Sequence, residues 1–368
     1  MELYGPDQHG FRPGHSTLTS ILSMHERITL ALDDNTTRGV ILLSFDMSRA
    51  FDRIPHDILI ARLSEAGLPT AFTTWIANYL SGRKQKVVLH KDIFSDKLPV
   101  SSGVPQGSIL SPFLFCCYIG TLGKALPISN IYKYADDVIV TAPFKTSDEV
   151  RFIVDSEVKN ISAWWKANGI VLNEQKTKLL VIDKNRLDAS TCIPSTLPQS
   201  AAMSILGVIF QQSLKWDAHA QHISKKASQR IYLLKVLSRI PSITKADLFI
   251  VYKHLILSII EYNSPLFIGA TRKYSDLLER VQRRCHKIIC GTNCDKTCLV
   301  PLKERREKQA MKVFEAALSN KTHVLHKFTP PTLHHSSHLS VQYCRTQRRA
   351  NSFFPFCTRL HNDTYSFK

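Results

Sequence analysis

The sequence predicts an α+β chain: a split βαβ sheet (β-α-β-β-α-β), antiparallel in part, with a long insertion after its first strand and a helical domain behind it. Three observations carry this. Short apolar runs of strand length alternate with amphipathic stretches of helix length up to about residue 182. Two of those runs meet at Asp136-Asp137 with no turn glycine between them, so a tight hairpin must hold both carboxylates at its tip. Beyond residue 215 the pattern changes to long, basic, amphipathic helices.

The elements follow in order. Gln8-His9-Gly10-Phe11-Arg12-Pro13-Gly14-His15-Ser16-Thr17 is a loop punctuated by Gly and Pro, and Ser16 or Thr17 can cap a helix through Ile21, Leu22, His25 and Ile28. Val40 to Asp46 is a continuous apolar run that reads as a buried strand ending on a carboxylate. Pro55 opens a helix that stops at Gly67, and a second helix through Phe72, Trp75, Ile76 and Tyr79 stops at Gly82. A basic strand pair extends from Arg83 to about Val100. Ser101 to Pro112 is a loop with two glycines leading into an apolar helix, Phe113 to Leu122. That loop reads either as a plain helix entry or as a place where a flat ligand lies against backbone beside Gln106, and spacing leaves both open. Strands are expected over 131–135 and 138–142, a helix over 148–168, and strands over 176–182 and 204–210. Helices are expected over about 218–239, 244–262 and 275–290, and a poorly ordered tail from about 329.

Composition narrows the class of protein. Apolar residues make up 44% and charged residues 21%, which is globular rather than disordered. No apolar run is long enough for a spanning helix and the first residues are not a signal peptide, so no membrane partner and an intracellular chain are expected. Nine cysteines, two of them adjacent at Cys116-Cys117, read as reduced core thiols. The formal charge is +18, from 48 Lys and Arg against 30 Asp and Glu, and such an excess usually meets a polyanion, most often nucleic acid.

An Asp-Asp pair is ordinarily a solvated turn, as Asp33-Asp34 reads here within a polar loop. Asp136-Asp137 differs because β-formers flank it closely on both sides, and spacing alone leaves a metal site and a turn equally open. The split βαβ arrangement turns its third strand back beside the first. It therefore brings Asp46 to one sheet edge with Asp136 and Asp137, ninety positions further along the chain. Three gathered carboxylates call for a divalent metal, and magnesium suits them because it is hard and seeks oxygen. Two such ions can clamp the attacking and leaving oxygens of an in-line displacement, and the chemistry implied is nucleotidyl transfer.

At these residues the chain resembles the reverse transcriptases, most closely those of non-LTR (LINE-type) retrotransposons. Phe45-Asp46-Met47-Ser48-Arg49-Ala50-Phe51-Asp52 is similar to their first catalytic motif, Gly103-Val104-Pro105-Gln106-Gly107-Ser108 to the second, and Tyr134-Ala135-Asp136-Asp137 to the third. Asn173-Glu174-Gln175-Lys176-Thr177-Lys178 and Leu206-Gly207-Val208 resemble the fourth and fifth, the loop 8–17 resembles the segment before the palm, and 260–284 resembles the region after the polymerase core. The resemblance implies a right-hand polymerase: a residual fingers segment over 1–38, a palm over 39–212, a helical thumb or connection domain over 213–328 and the tail over 329–368. It implies that Asp46, Asp136 and Asp137 hold two magnesium ions, with manganese as the alternative. Lys176 would assist departure of pyrophosphate. Phe51 would gate against a ribose 2′-hydroxyl, while Gln106, Gly107 and, less firmly, Arg12 would border nucleotide and template. Leu206 and Gly207 would form a primer grip. The partners implied are an RNA template, a DNA primer, deoxynucleoside triphosphates and an RNA-binding protein of the same element, in nucleus and cytoplasm.

The chain also departs from that pattern. The finger segments and endonuclease expected upstream are missing, which implies a piece of a longer polyprotein or a truncated copy. The alternative function is then a catalytically incomplete copy that only binds nucleic acid. Cys285, Cys290, Cys294 and Cys298 with His286 suggest zinc, but their spacing fits no ligand pattern.

Overall fold

The computed structural model describes residues 3–47, 50–90, 93–170, 176–184, 197, 199–291, 299–333 and 338–365. Contacts divide the chain into two units, one of Met1–Ser16, Val40–Val181 and Asn185–Ser200, the other of Thr17–Gly39, Ile182–Lys184 and Ala201–Lys368. The helix 17–33 therefore groups with the second unit and not with the loop before it, and the hairpin after residue 201 does too.

The first unit is built on strand β1 (Gly39–Asp46). Helices α2 (His56–Glu65) and α3 (Thr70–Leu80) follow. Two short antiparallel ladders come next: β2 (Lys84–Gln85) pairs with β5 (Leu98–Pro99), and β3 (Val88–His90) with β4 (Ile93–Phe94). These are the expected basic strand pair. Then come α4 (Leu110–Tyr118), β6 (Asn130–Tyr134), β7 (Asp137–Phe144), α5 (Ser147–Ala167) and β8 (Lys178–Asp183). The sheet order is β6-β7-β1-β8. Its core packs Phe45 edge-on to Trp165 at 5.6 Å, with Leu43, Phe115, Val138, Val154, Leu179 and Val181 fully or almost fully buried around them.

Local chemistry explains the helix limits. Asp148 and Glu149 occupy the first turn of α5, where carboxylates favour the positive end of the helix dipole, and Glu149 accepts from Lys145 N at 2.7 Å. Gly169, at φ +68°, lets the chain leave the helix. Helix α4 starts earlier than expected and stops at Tyr118, because the buried Lys133 ammonium captures the Ile119 and Gly120 carbonyls at 3.1 and 3.4 Å. Burial lowers the Lys133 pKa to about 8.

The second unit contains α1 (Thr17–Asp33), β9 (Ala202–Ile205), β10 (Val208–Gln211) and α6 (Asp217–Leu237). Next, α7 (Lys245–Val251) passes through a π-helical stretch, Tyr252–Leu257, into α8 (Ser258–Ile260). Helices α9 (Arg272–Cys290), α10 (Leu302–Ser319), α11 (Gln347–Ala350) and α12 (Phe353–Tyr365) complete it. Among the described residues no helix is long and apolar enough to cross a membrane.

Two expectations need correction here. The single strand expected over 204–210 is an antiparallel hairpin, Ile205 pairing with Val208, because Leu206 and Gly207 take φ +45° and +78° and turn the chain. The segment expected as a poorly ordered tail instead carries α11 and α12. Phe353 and Phe354 are buried against Phe314, with ring centroids 6.4 and 6.1 Å away, and Arg349 forms a buried ion pair with Glu26 of α1.

Candidate active site

The hairpin β6–β7 sets the site. Tyr134 pairs with Asp137, which leaves Ala135-Asp136 as a two-residue turn with Ala135 at φ +54°. A non-glycine residue in that region needs support from its surroundings. The support is the segment Asp7–Gly10. Lys133 N donates to Asp7 O at 2.9 Å, and His9 N donates to Lys133 O at 2.8 Å. The fully buried Gln8 side-chain oxygen accepts from Gly10 N at 2.8 Å and from Ala135 N at 3.2 Å. A Cβ on Gly10 would stand 2.5 Å from Ala135 N, so only glycine lets the two backbones approach this closely. Gln8 is the functional residue that sequence reasoning missed, since its partner lies 127 positions away.

Asp46 ends β1, the neighbour of β7 in the sheet. Its carboxylate accepts from Lys176 Nζ at 3.3 Å, and both side chains are solvent-accessible. Crowding by protein atoms, then the charges of Asp136 and Asp46, raise the Asp137 pKa above the usual carboxylate range. The charges of Asp136 and Asp46 thus both reach Asp137. Among the described residues no three His, Cys, Asp or Glu side chains stand as a preformed metal cage. The donor set nonetheless fits a hard divalent cation: all-oxygen, anionic and strained by like charge.

The remaining predicted residues fall into three places. Phe51 stacks on Phe115 of α4, centroids 4.4 Å apart and planes 23° apart. The loop 101–106 is laced to the same turn: Val104 N donates to Phe51 O and Gly103 N to Ile54 O, each at 2.8 Å, and Gln106 Nε2 donates to Asp52 Oδ1 at 2.7 Å. Gly103 has φ +84°, and a Cβ there would lie 2.6 Å from the Asp52 backbone. Gly107, at φ +82°, has open space around it. Arg12 is not part of the carboxylate cluster's hydrogen bonding; its guanidinium donates to Gly5 O at 3.1 Å. Leu206 and Gly207 form the β9–β10 turn of the second unit, where Tyr262 donates to Leu206 O at 3.0 Å. Cys285 is buried with its thiol pushed up to about 12 by burial, and Cys294 and Cys298 lie outside the described residues.

The family described as reverse transcriptase (RNA-dependent DNA polymerase) matches residues 1–210, and with them every one of the catalytic motifs. The chain belongs to the reverse transcriptase family. Its fold is accordingly a reverse-transcriptase polymerase fold of mixed helix and sheet. The probable RNA-directed DNA polymerase from the transposon X-element of Drosophila melanogaster is 26% identical over 298 residues, covering 77% of this chain and 32% of the relative. That from the transposon BS of the same species is 26% identical over 306 residues, covering 78% and 33%. The retrovirus-related Pol polyprotein of the type-1 element R2 of Popillia japonica is 22% identical over 308 residues, covering 77% and 41%. This reverse transcriptase domain, of the non-LTR type that its motifs implied, spans about a third of the length of the first two relatives.

Proposed function

We propose that the chain is the core of an RNA-templated DNA polymerase in which Asp46, Asp136 and Asp137 form the catalytic centre. What supports this is that Asp46 ends a strand next to the one Asp137 begins, and that the charges of Asp46 and Asp136 both reach Asp137. The sheet order β6-β7-β1-β8 supports the finer reading of a palm built on a split βαβ unit. Magnesium, or manganese in its place, bound by the three aspartates would supply positive charge to the attacking and leaving oxygens.

The chain's own residues do the rest. Lys176, held on Asp46, offers a proton or a positive charge where pyrophosphate departs. The Phe51 ring, fixed by Phe115, fills the space a 2′-hydroxyl would need, which selects deoxynucleotides by repulsion. Gln106 and Gly107 border nucleotide and template, the Leu206-Gly207 turn serves as primer grip, and Arg12 is a supporting contact. An RNA template, a DNA primer and an RNA-binding protein of the element are the partners in this reading, in nucleus and cytoplasm.

Primer extension on poly-rA/oligo-dT with the purified chain tests it: divalent-dependent incorporation that Asp136→Asn abolishes is expected. Incorporation that survives the substitution overturns the site. The formal charge of +18 favours a second reading, a copy that binds nucleic acid without chemistry. Salt-sensitive RNA binding with no incorporation in either divalent ion would establish that reading instead.

A further inference from the structure

Helix α3 has two faces of opposite character. Thr73, Ile76 and Leu80 are buried, whereas Phe72 and Trp75 remain 38% and 51% exposed. Spacing of three and four residues aligns Phe72, Trp75 and Tyr79 along that outer face. Their rings stack in sequence, with centroids 5.9 and 6.0 Å apart and planes 26° and 13° apart. The Arg83 guanidinium covers the far end, 5.2 Å from the Tyr79 ring centre. The Tyr79 hydroxyl lies 2.8 Å from Ser108 Oγ, which ties the ladder to the loop that carries Gln106 and Gly107.

Arg83 also belongs to a groove of about 700 Å3 that it lines with Arg53, Lys84, Asp52 and Gln106. Arg53, Arg83, Lys84 and Lys86 make no ion pair among the described residues. Three of the four residues 83–86 are cationic. The strands beyond them expose Val87, Val88, Leu89, Ile93 and Phe94. An exposed apolar surface of this extent marks a contact site, and its cationic border makes the complementary partner a polyanion.

We propose that the Phe72–Trp75–Tyr79 ladder and the Arg53–Arg83–Lys84 groove form a track for unpaired nucleic acid, the bases meeting the aromatic rings and the phosphates meeting the cations. Aromatic side chains bind single strands without regard to sequence because every base has a π-face, and a basic groove follows the backbone. Arg83 joins the two halves, stacking on Tyr79 while facing the groove. The groove is also lined by Asp52 and Gln106, which are hydrogen-bonded to each other and adjoin Phe51 and Gly107 in the chain. Identifying the occupant as template still to be copied rests on the polymerase reading; the binding itself does not.

The test is fluorescence anisotropy with a labelled RNA–DNA duplex carrying a 5′ RNA overhang of increasing length, beside the blunt duplex. The unaltered chain should bind more tightly as the overhang lengthens. Trp75→Ala should lose that gain by about 5–150-fold, the value of one stacked base, and leave blunt-duplex affinity unchanged. Trp75→Phe should recover most of it. Arg83→Gln should lower the salt slope of overhang binding by about 0.7, one phosphate contact on a single strand. Asp136→Asn should bind the overhang normally, so loss of polymerase chemistry and loss of the track are separate results. Overhang affinity that is the same in Trp75→Ala, Arg83→Gln and the unaltered chain overturns the proposal. So does an equal loss on the blunt duplex.

Discussion

Replacing Gln8 by Met tests how the aspartate turn is held. The side-chain volumes are close, so the change removes polar atoms with little loss of packing. Gln8 is fully buried, and no water can replace its oxygen as acceptor for Gly10 N, 2.8 Å away, and Ala135 N, 3.2 Å away. Each orphaned buried N–H costs about 1–3 kcal/mol. The Gln8 amide nitrogen has no partner among the described residues, and its removal returns one cost of the same kind. The net destabilisation is therefore about 1–3 kcal/mol, or a fall in Tm of about 2–12 °C for a unit of this size. Thermal unfolding by circular dichroism reads it. Because Ala135 at φ +54° loses its anchor, Mn2+ affinity measured by electron paramagnetic resonance should weaken in the same variant. A Tm within about 1 °C of the unaltered chain, together with unchanged Mn2+ binding, would refute the idea that this glutamine holds the turn.

Phe51→Ala should admit ribonucleotides in primer extension and, by removing half of the Phe51–Phe115 stack, lower stability by about 1–3 kcal/mol; a variant that still rejects ribonucleotides shows the gate lies elsewhere. Asp137 keeps its proton to higher pH folded than unfolded, so its contribution to stability is present at low pH and is lost as pH rises through its raised pKa. Asp137→Asn should therefore stabilise the metal-free protein near neutral pH and flatten that part of the pH–stability curve, while weakening divalent binding; unchanged pH dependence contradicts the crowding. Arg349→Met leaves the buried Glu26 carboxylate alone and should cost about 3–5 kcal/mol, much of it recovered in the double variant with Glu26→Gln. Burial already pushes Glu26 up to about 7 while Arg349 holds it down, so without Arg349 it rises further and the single variant's deficit should shrink as pH falls towards neutrality and level off below it. Chemical denaturation at several pH values measures both.

The parts of the site legible in the sequence are those whose signal is local. Asp136-Asp137 stands out because strand-formers flank it on both sides, and Asp46 because it terminates an apolar run; the structure places both at strand ends. The β9–β10 turn was not legible, since Leu206 rarely adopts a positive φ and nothing beside it but Gly207 announces a reversal. Gln8 sits in an unremarkable polar loop and takes its role from a strand turn far along the chain. The last helix was hidden for a similar reason: Phe353-Phe354-Pro355-Phe356 reads as an apolar segment that could dock, but nothing local says where until Phe314 and Phe328 are placed against it.

What fixes the carboxylates is backbone approach rather than charge pairing. The ion pair of Asp46 with Lys176 is open to solvent at both ends, and such pairs contribute about 0–1 kcal/mol. Against this, Gly10 meets the Ala135 amide and Gly103 meets the Asp52 backbone at distances that leave no room for a Cβ. Gln8 adds a hydrogen bond to the Ala135 amide next to Asp136, and Val104 adds one to the Phe51 carbonyl, five residues beyond Asp46. This arrangement holds the backbone of the Ala135-Asp136 turn in place. Within it, the charges of Asp136 and Asp46 keep the Asp137 pKa raised.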